Sequence, residues 1–318
     1  MEFVEGKIEE VKVFEGGLVF PKTLNPPKGG IEGGHYGVNE LVEMVREKQE
    51  WLSRLLQRHS AVLFRGFGIG SAEEFGKVVE AFGWEEMEYS GVTTRLKVAD
   101  RVHTANEAPL HKFINFHHEM ALMKQFPSKI FFFCAQPSPE GGETSIVPSH
   151  IIVEKMKERV PKFMTKLSEM GYVVRRSLPK EIDNGAITSK TWKFFLQTED
   201  EDEAKKRAQE RLPCGSINFN KDGSAELTYG PMNPVRRIGE RKVWFNSILG
   251  YEDDFIFTFG DGNAIPSEAM DVYSQILNEN CVDIKWQKGD ILLLDNLAAQ
   301  HARRPGKPPR AVLVSICK

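Results

Sequence analysis

Apolar residues along the chain change their spacing near residue 114. Before that point helical periods dominate: between Glu40 and Arg58, residues Leu41, Met44, Val45, Leu52, Leu55 and Leu56 form one stripe, which predicts a helix. The run Ser60–Arg65 reads as a strand closed by Gly66, Gly68 and Gly70. Ser71, with Glu74 three residues on, reads as a capping box that opens a helix over Ala72–Phe82. From Phe116 onward, short apolar runs alternate with Gly, Pro and Asn breakers. They are Ile130–Ala135, Thr144–Val147, Tyr172–Arg175, Ser216–Phe219, Val243–Ser247, Ile291–Leu294 and Ala311–Cys317. Many short strands with turn signals predict an all-β barrel or sandwich rather than a parallel α/β sheet. Helical patterns interrupt them at about 149–167 and 198–211, and Pro266–Leu277 is a further helix. Thr198 and Glu201 read as a second capping box, and Glu201–Lys205, Asp202–Lys206 and Glu203–Arg207 as i,i+4 pairs on a solvated face. With no repeats and no low-complexity tail, the expected organisation is a single domain over 1–318. It is mainly β with flanking helices, and the segments near 149–167 and 198–211 are helical insertions.

Composition narrows the function classes. The chain has 318 residues, 41% hydrophobic and 27% charged, with a formal net charge of -3. That balance gives no global basic field of the kind that nucleic acid or an anionic membrane surface attracts. Cys134, Cys214, Cys281 and Cys317 follow no framework spacing and read as reduced thiols. The first ten residues are too charged for a signal peptide, and the longest apolar runs fall far short of a membrane span. The expectation is a cytoplasmic protein with a small-molecule substrate and neither nucleic acid nor membrane as partner.

The chemistry concentrates at His117, His118 and Glu119. The run Ile114–Met120 reads as a strand, on which side chains alternate, so His117 and Glu119 share a face and His118 points away. Two His and one carboxylate are the ligand set of non-haem iron(II) oxygenases, and His301, after the apolar run Ile291–Leu294, can supply the third ligand. Polar pairs on a strand face often only meet solvent, so the context matters. Arg310 opens the apolar strand Ala311–Cys317, where a guanidinium is unusual unless it grips a carboxylate bidentately. Arg95, His103 and Asn106, in the segment before the metal strand, offer cationic and hydrogen-bonding groups to a substrate carboxylate. Phe245 and Asn246 are placed to face the same pocket.

At this point the chain resembles the taurine dioxygenase (TauD/TfdA) and clavaminate synthase-like family of iron(II), 2-oxoglutarate-dependent oxygenases. The resemblance rests on segments in family order: Ala61–Phe67, Val102–Pro109, Phe116–Met120, Gly141–Ser145, Gly239–Asn246 and Gly289–Asn296 through His301 to Arg310. It implies a double-stranded β-helix (jelly roll), with Fe(II), 2-oxoglutarate and O2 as cofactor and co-substrates. His117, Glu119 and His301 match the iron ligands. Arg310 and Thr144 match the residues that hold the distal carboxylate of 2-oxoglutarate. Glu rather than Asp as the acidic ligand follows the clavaminate synthase-like members. Val314 stands where many relatives carry a second Arg, which detaches the substrate from taurine-like precedents. The implied reaction oxidises a small polar acid or amino-acid-like molecule while 2-oxoglutarate is decarboxylated to succinate and CO2. The competing readings are a cupin-like metal-dependent hydrolase or isomerase and a non-catalytic metal-binding protein on the same fold. Arg310 and Thr144 discriminate against the former, because a hydrolase needs no dicarboxylate clamp.

Overall fold

The computed structural model describes residues 1–27, 36–91, 95–105, 108–182, 187, 190–250 and 255–318. Two sheets carry the core. The larger has eight strands, in the order Val4–Gly6, Lys22–Asn25, Ala61–Phe64, Ile291–Asp295, Lys129–Gln136, Ala311–Cys317, Val102–Thr104 and Lys97–Ala99. The smaller has four: Val282–Ile284, Thr144–Pro148, Ala299–Arg303 and Ile114–His117. The fold is thus mainly β with several helices.

The unbroken apolar runs of the central strands follow from burial on both faces. Ile130, Phe132, Leu292, Leu294, Val312 and Val314 join one core cluster with Ile146, Ala299 and Ala302 of the smaller sheet. The alternate residues Phe131, Phe133, Ile291, Leu293 and Leu313 join a second cluster with Leu41, Met44, Leu52, Leu56, Phe75 and Val78 from the N-terminal helices. Each strand therefore spends one face on the facing sheet and the other on helices, which removes the polar alternation an exposed face would show. A third, antiparallel sheet of Ser216–Phe219, Ala225–Met232, Tyr172–Leu178 and Phe255–Phe259 extends the structure.

Several expected elements are displaced for identifiable reasons. The stripe over 40–58 is two helices, Val38–Glu47 and Gln49–His59, parted at Lys48 with φ -116° and ψ 17°. The segment near 149–167 is likewise two, Ser149–Arg159 and Pro161–Met170. Pro161 cannot donate back into the preceding turn, and it pushes Val160 to an extended φ of -135°. The charged helix starts at Glu201, because Asp200 rather than Thr198 caps it, accepting from Glu203 N at 2.8 Å. Ser71 does cap Ala72–Ala81 through Glu74 N at 3.2 Å, but the Glu74 carboxylate turns to Gly70 N, so the box is not closed. The expected strand Val243–Ser247 lies instead at Arg241–Trp244. Among the described residues no helix is long and apolar enough to cross a membrane. All four cysteines are free thiols, with Cys214 exposed and the others buried.

One buried ion pair ties the sheet to its flanking turn. Arg65 donates from Nε and Nη2 to the two Asp290 oxygens at 3.0 and 2.6 Å, and Asp290 also accepts from Gln287 N at 2.8 Å. Burial keeps the Asp290 carboxyl above its usual range in spite of Arg65. Arg65→Ala strands this carboxylate and is expected to cost about 3–5 kcal/mol at neutral pH, measured by urea unfolding. The raised carboxyl binds its proton more readily folded than unfolded, so the deficit should shrink as pH falls through its titration. An unchanged midpoint at pH 7 contradicts this.

Candidate metal centre

The strand Ala299–Arg303 lies antiparallel to both Thr144–Pro148 and Ile114–His117, and the register sets His301 opposite His117 and Ile146. The two imidazole centroids are 4.3 Å apart, and Phe132 from the larger sheet packs 5.1 Å from His301. Glu119 completes the cluster: one ligand atom from each of His117, Glu119 and His301 lies within 4.8 Å of the others, and all three residues are buried. The expected strand through Met120 ends at His117, however. Glu119 stands in a turn, followed by Met120 at a φ of +56°. Glu119 therefore lies just past the strand end, in a turn, and still presents its carboxylate on the His117 side with His118 turned away.

Second contacts hold that turn. Asn296, fully buried, accepts from Glu119 N at 2.8 Å and donates from Nδ2 to Glu119 O at 3.1 Å and to Pro127 O at 2.7 Å. His118 points away from the cluster, as expected. Its Nδ1 lies 3.2 Å from Asn246 N and 3.3 Å from Asn246 O, and its Nε2 lies 2.8 Å from Ser149 Oγ. Phe245 stacks 4.6 Å from the His118 ring. Phe245 and Asn246 thus brace His118 from behind and do not line the cavity, contrary to the expectation that they face substrate. His103, half-buried, is also not among the cavity walls; its charged neighbours are Glu86, Arg95 and Lys97. Asn106 lies outside the described residues.

The donor set suits a metal. His117 donates from Nδ1 to Asn115 O at 2.7 Å, so in the neutral ring Nε2 is the nitrogen that carries the lone pair. Burial first, then the neighbouring His301, pushes His117 down to about 3, so it stays neutral as metal binding requires. Burial alone would raise Glu119, but Arg95, His301 and His117 outweigh it and hold the carboxyl well below its usual range. Arg95 Nη2 lies 2.8 Å from Glu119 Oε2, with both side chains 6% exposed, and its guanidinium stacks 4.0 Å from the Tyr89 ring centre.

The three ligands open into a cavity whose walls include Tyr89, Arg95, Phe132, Thr144, Arg303 and Arg310. Arg303 spends its guanidinium on the carbonyls of Ala108, Pro109 and Lys112. Arg310 uses Nε on Gly142 O at 2.7 Å, which leaves its terminal nitrogens to the cavity it lines. Gly142, at a φ of +73°, has no room for a Cβ, which would meet Arg310 Cδ at 2.9 Å. Burial lowers Arg310 to about 10, so the guanidinium remains charged at neutral pH. Tyr89 and Asn296 were not legible as site residues. Tyr89 lies in an irregular segment, and Asn296 works through backbone contacts to a partner 177 positions away.

The model of the family described as "Taurine catabolism dioxygenase TauD, TfdA family" matches residues 25–317. The chain belongs to this family. A clavaminate synthase-like protein of Arabidopsis thaliana is 39% identical over 328 residues, covering 99% of this chain and 98% of the relative. The dapdiamide synthesis protein DdaC of Enterobacter agglomerans is 27% identical over 290 residues, covering 83% and 84%. Among solved structures, the iron, α-ketoglutarate-dependent oxygenase PvcB superposes with a TM-score of 0.54 at 17% identity over 100% of this chain and 95% of that one. The AAD-2 complex with Mn(II) and N-oxalylglycine gives 0.56 at 11% identity over 100% and 97%. As a TauD-family member the protein is an Fe(II)/2-oxoglutarate-dependent dioxygenase that uses O2, which sets aside the hydrolase and non-catalytic readings.

In this TauD-family chain Asn296→Leu removes both backbone contacts to Glu119 while keeping side-chain volume. Iron(II) affinity is expected to fall about 10- to 100-fold with the fold retained, read by anaerobic iron titration alongside circular dichroism. Wild-type affinity in this variant excludes Asn296 as the support of the turn.

Proposed function

We propose that the protein oxidises a small polar acid or amino-acid-like molecule at an iron(II) held by His117, Glu119 and His301. One observation carries this reading: the three buried donors converge on a cavity that also presents Arg310 and Thr144. His117, Glu119 and His301 would be the protein ligands that hold the iron(II). Bound iron(II) couples decarboxylation of 2-oxoglutarate, to succinate and CO2, to the oxidation of substrate by dioxygen. Arg310 pairs with the distal carboxylate by charge-assisted hydrogen bonds, and Thr144 donates to it. Phe132 and Ile114 are apolar walls that restrict water around the ligands. We read the two core sheets as the halves of a jelly roll, within one domain over 1–318.

The substrate assignment rests on Arg95. It lines the metal cavity and also an outer pocket, whose walls, among the described residues, carry Lys193 and Arg211 and no carboxylate. A metal that takes up the Glu119 charge leaves the Arg95 guanidinium as the cation facing incoming substrate. A carboxylate on the substrate pairs with it, and the Tyr89 ring keeps the guanidinium plane in place.

His117→Ala and Glu119→Ala are each expected to abolish stoichiometric iron binding, read by metal analysis of the purified proteins. Arg310→Ala should keep its iron but weaken 2-oxoglutarate by about 2–5 kcal/mol, read from the charge-transfer band of the anaerobic complex. An unchanged titration removes Arg310 from the clamp. For the substrate, amino acids and small acids are expected to stimulate succinate formation while peptides and acyl chains do not. The reverse result overturns the substrate class.

A further inference from the structure

Thr144 and Arg310 both line the cavity, and behind Thr144 stands Trp286, in the turn between Val282–Ile284 and Ile291–Asp295. Its indole Nε1–H donates to Thr144 Oγ1 at 3.1 Å. An indole nitrogen donates and cannot accept, so the hydroxyl oxygen is the acceptor and its own proton must point elsewhere. The Thr144 backbone is fixed as well, because its strand is paired on both edges, with Thr144 opposite Ile284 and Arg303. Thr144 is 4% exposed, and it lines the cavity. Trp286 also walls a surface groove with Pro137, Glu140, Glu143 and Lys285, so the indole lies between that groove and Thr144.

We infer that Trp286 is a positioning residue for the co-substrate carboxylate: it fixes the Thr144 hydroxyl as a donor aimed into the cavity beside Arg310. The inference rests on the assignment of Thr144 and Arg310 to 2-oxoglutarate. A free threonine hydroxyl can rotate and present its lone pairs, which repel a carboxylate. With one lone pair taken by the indole, the remaining proton meets an oxygen that only accepts. A charged donor from Arg310 and a neutral donor from Thr144 then match the two oxygens of one carboxylate.

Trp286→Phe tests this, because it keeps a ring against the groove and removes only the N–H. In anaerobic calorimetric titration of the iron(II)-loaded protein, the Kd for 2-oxoglutarate is expected to rise about three- to ten-fold, the range of one net hydrogen bond. Iron affinity without 2-oxoglutarate should not change. In uncoupled turnover the KM for 2-oxoglutarate should rise with kcat unaltered. In a Thr144→Val background, Trp286→Phe should add no further loss, since the hydroxyl it orients is gone. Wild-type binding by Trp286→Phe while Thr144→Val is weakened overturns the role of Trp286 alone, as does an equal loss in both backgrounds. Wild-type binding by Thr144→Val overturns the carboxylate assignment on which the role rests.

Discussion

The site depends on one antiparallel register, which sets His301 opposite His117 on neighbouring strands of the smaller sheet. Side chains on a strand alternate faces, so a slip of one residue would turn His301 away from the larger sheet and leave Gln300 or Ala302 beside His117. The register is pinned from both sides. Ala299–Arg303 pairs with Thr144–Pro148 over five residues, and the turn at Asp295–Ala298 carries the chain from one sheet to the other. Asn296 sits in that turn and holds both backbone groups of Glu119. The corner that places one histidine also places the carboxylate, so the cluster behaves as a single construction rather than three separate ligands.

Charge around the cluster runs against the balance of the whole chain. The formal net charge is -3, yet among the described residues the cavity walls carry Arg95, Arg303 and Arg310 against the carboxylate of Glu119. The guanidiniums tolerate burial in different ways: Arg303 on three backbone carbonyls, Arg95 on Glu119 and the Tyr89 face. Arg310 has only one such contact, to Gly142, which leaves it the strongest unmet demand for an anion in the cavity. A buried cation with spare donors favours a buried carboxylate, and that demand is what distinguishes this cavity from a simple metal pocket.

Much of the architecture was legible from local rules. The apolar runs at Ile130–Ala135, Thr144–Val147 and Ala311–Cys317 mark real strands, because β-rich, two-sided burial leaves a dense apolar signature. The helix at Ala72–Ala81 was announced by its cap, Ser71. The strand Ala299–Arg303 gave no such signal: its sequence, Ala-Gln-His-Ala-Arg, is buried for the site's sake and carries polar residues that make partners only in the assembled sheet. Likewise the divisions at Lys48 and Val160 depended on backbone choices that an apolar stripe does not record.

The amino-acid sequence by itself offered a side-chain set able to bind a metal, His117, Glu119 and His301, and in Arg310 a group able to grip a carboxylate, since ligand chemistry belongs to side-chain type; Thr144 entered through the family resemblance. It also determined that His118 differs in role from its neighbours, by an alternation of faces that the side chains keep although the strand itself ends at His117. Only the tertiary structure decided how Glu119 arrives, through a turn held by Asn296, and that Phe245 and Asn246 brace His118 from behind. It alone brought Arg95 onto Glu119 and Trp286 onto Thr144. Those contacts join positions 24 and 142 residues apart, and a hydrogen bond across such a separation is fixed by sheet register and turn geometry, which no local pattern encodes.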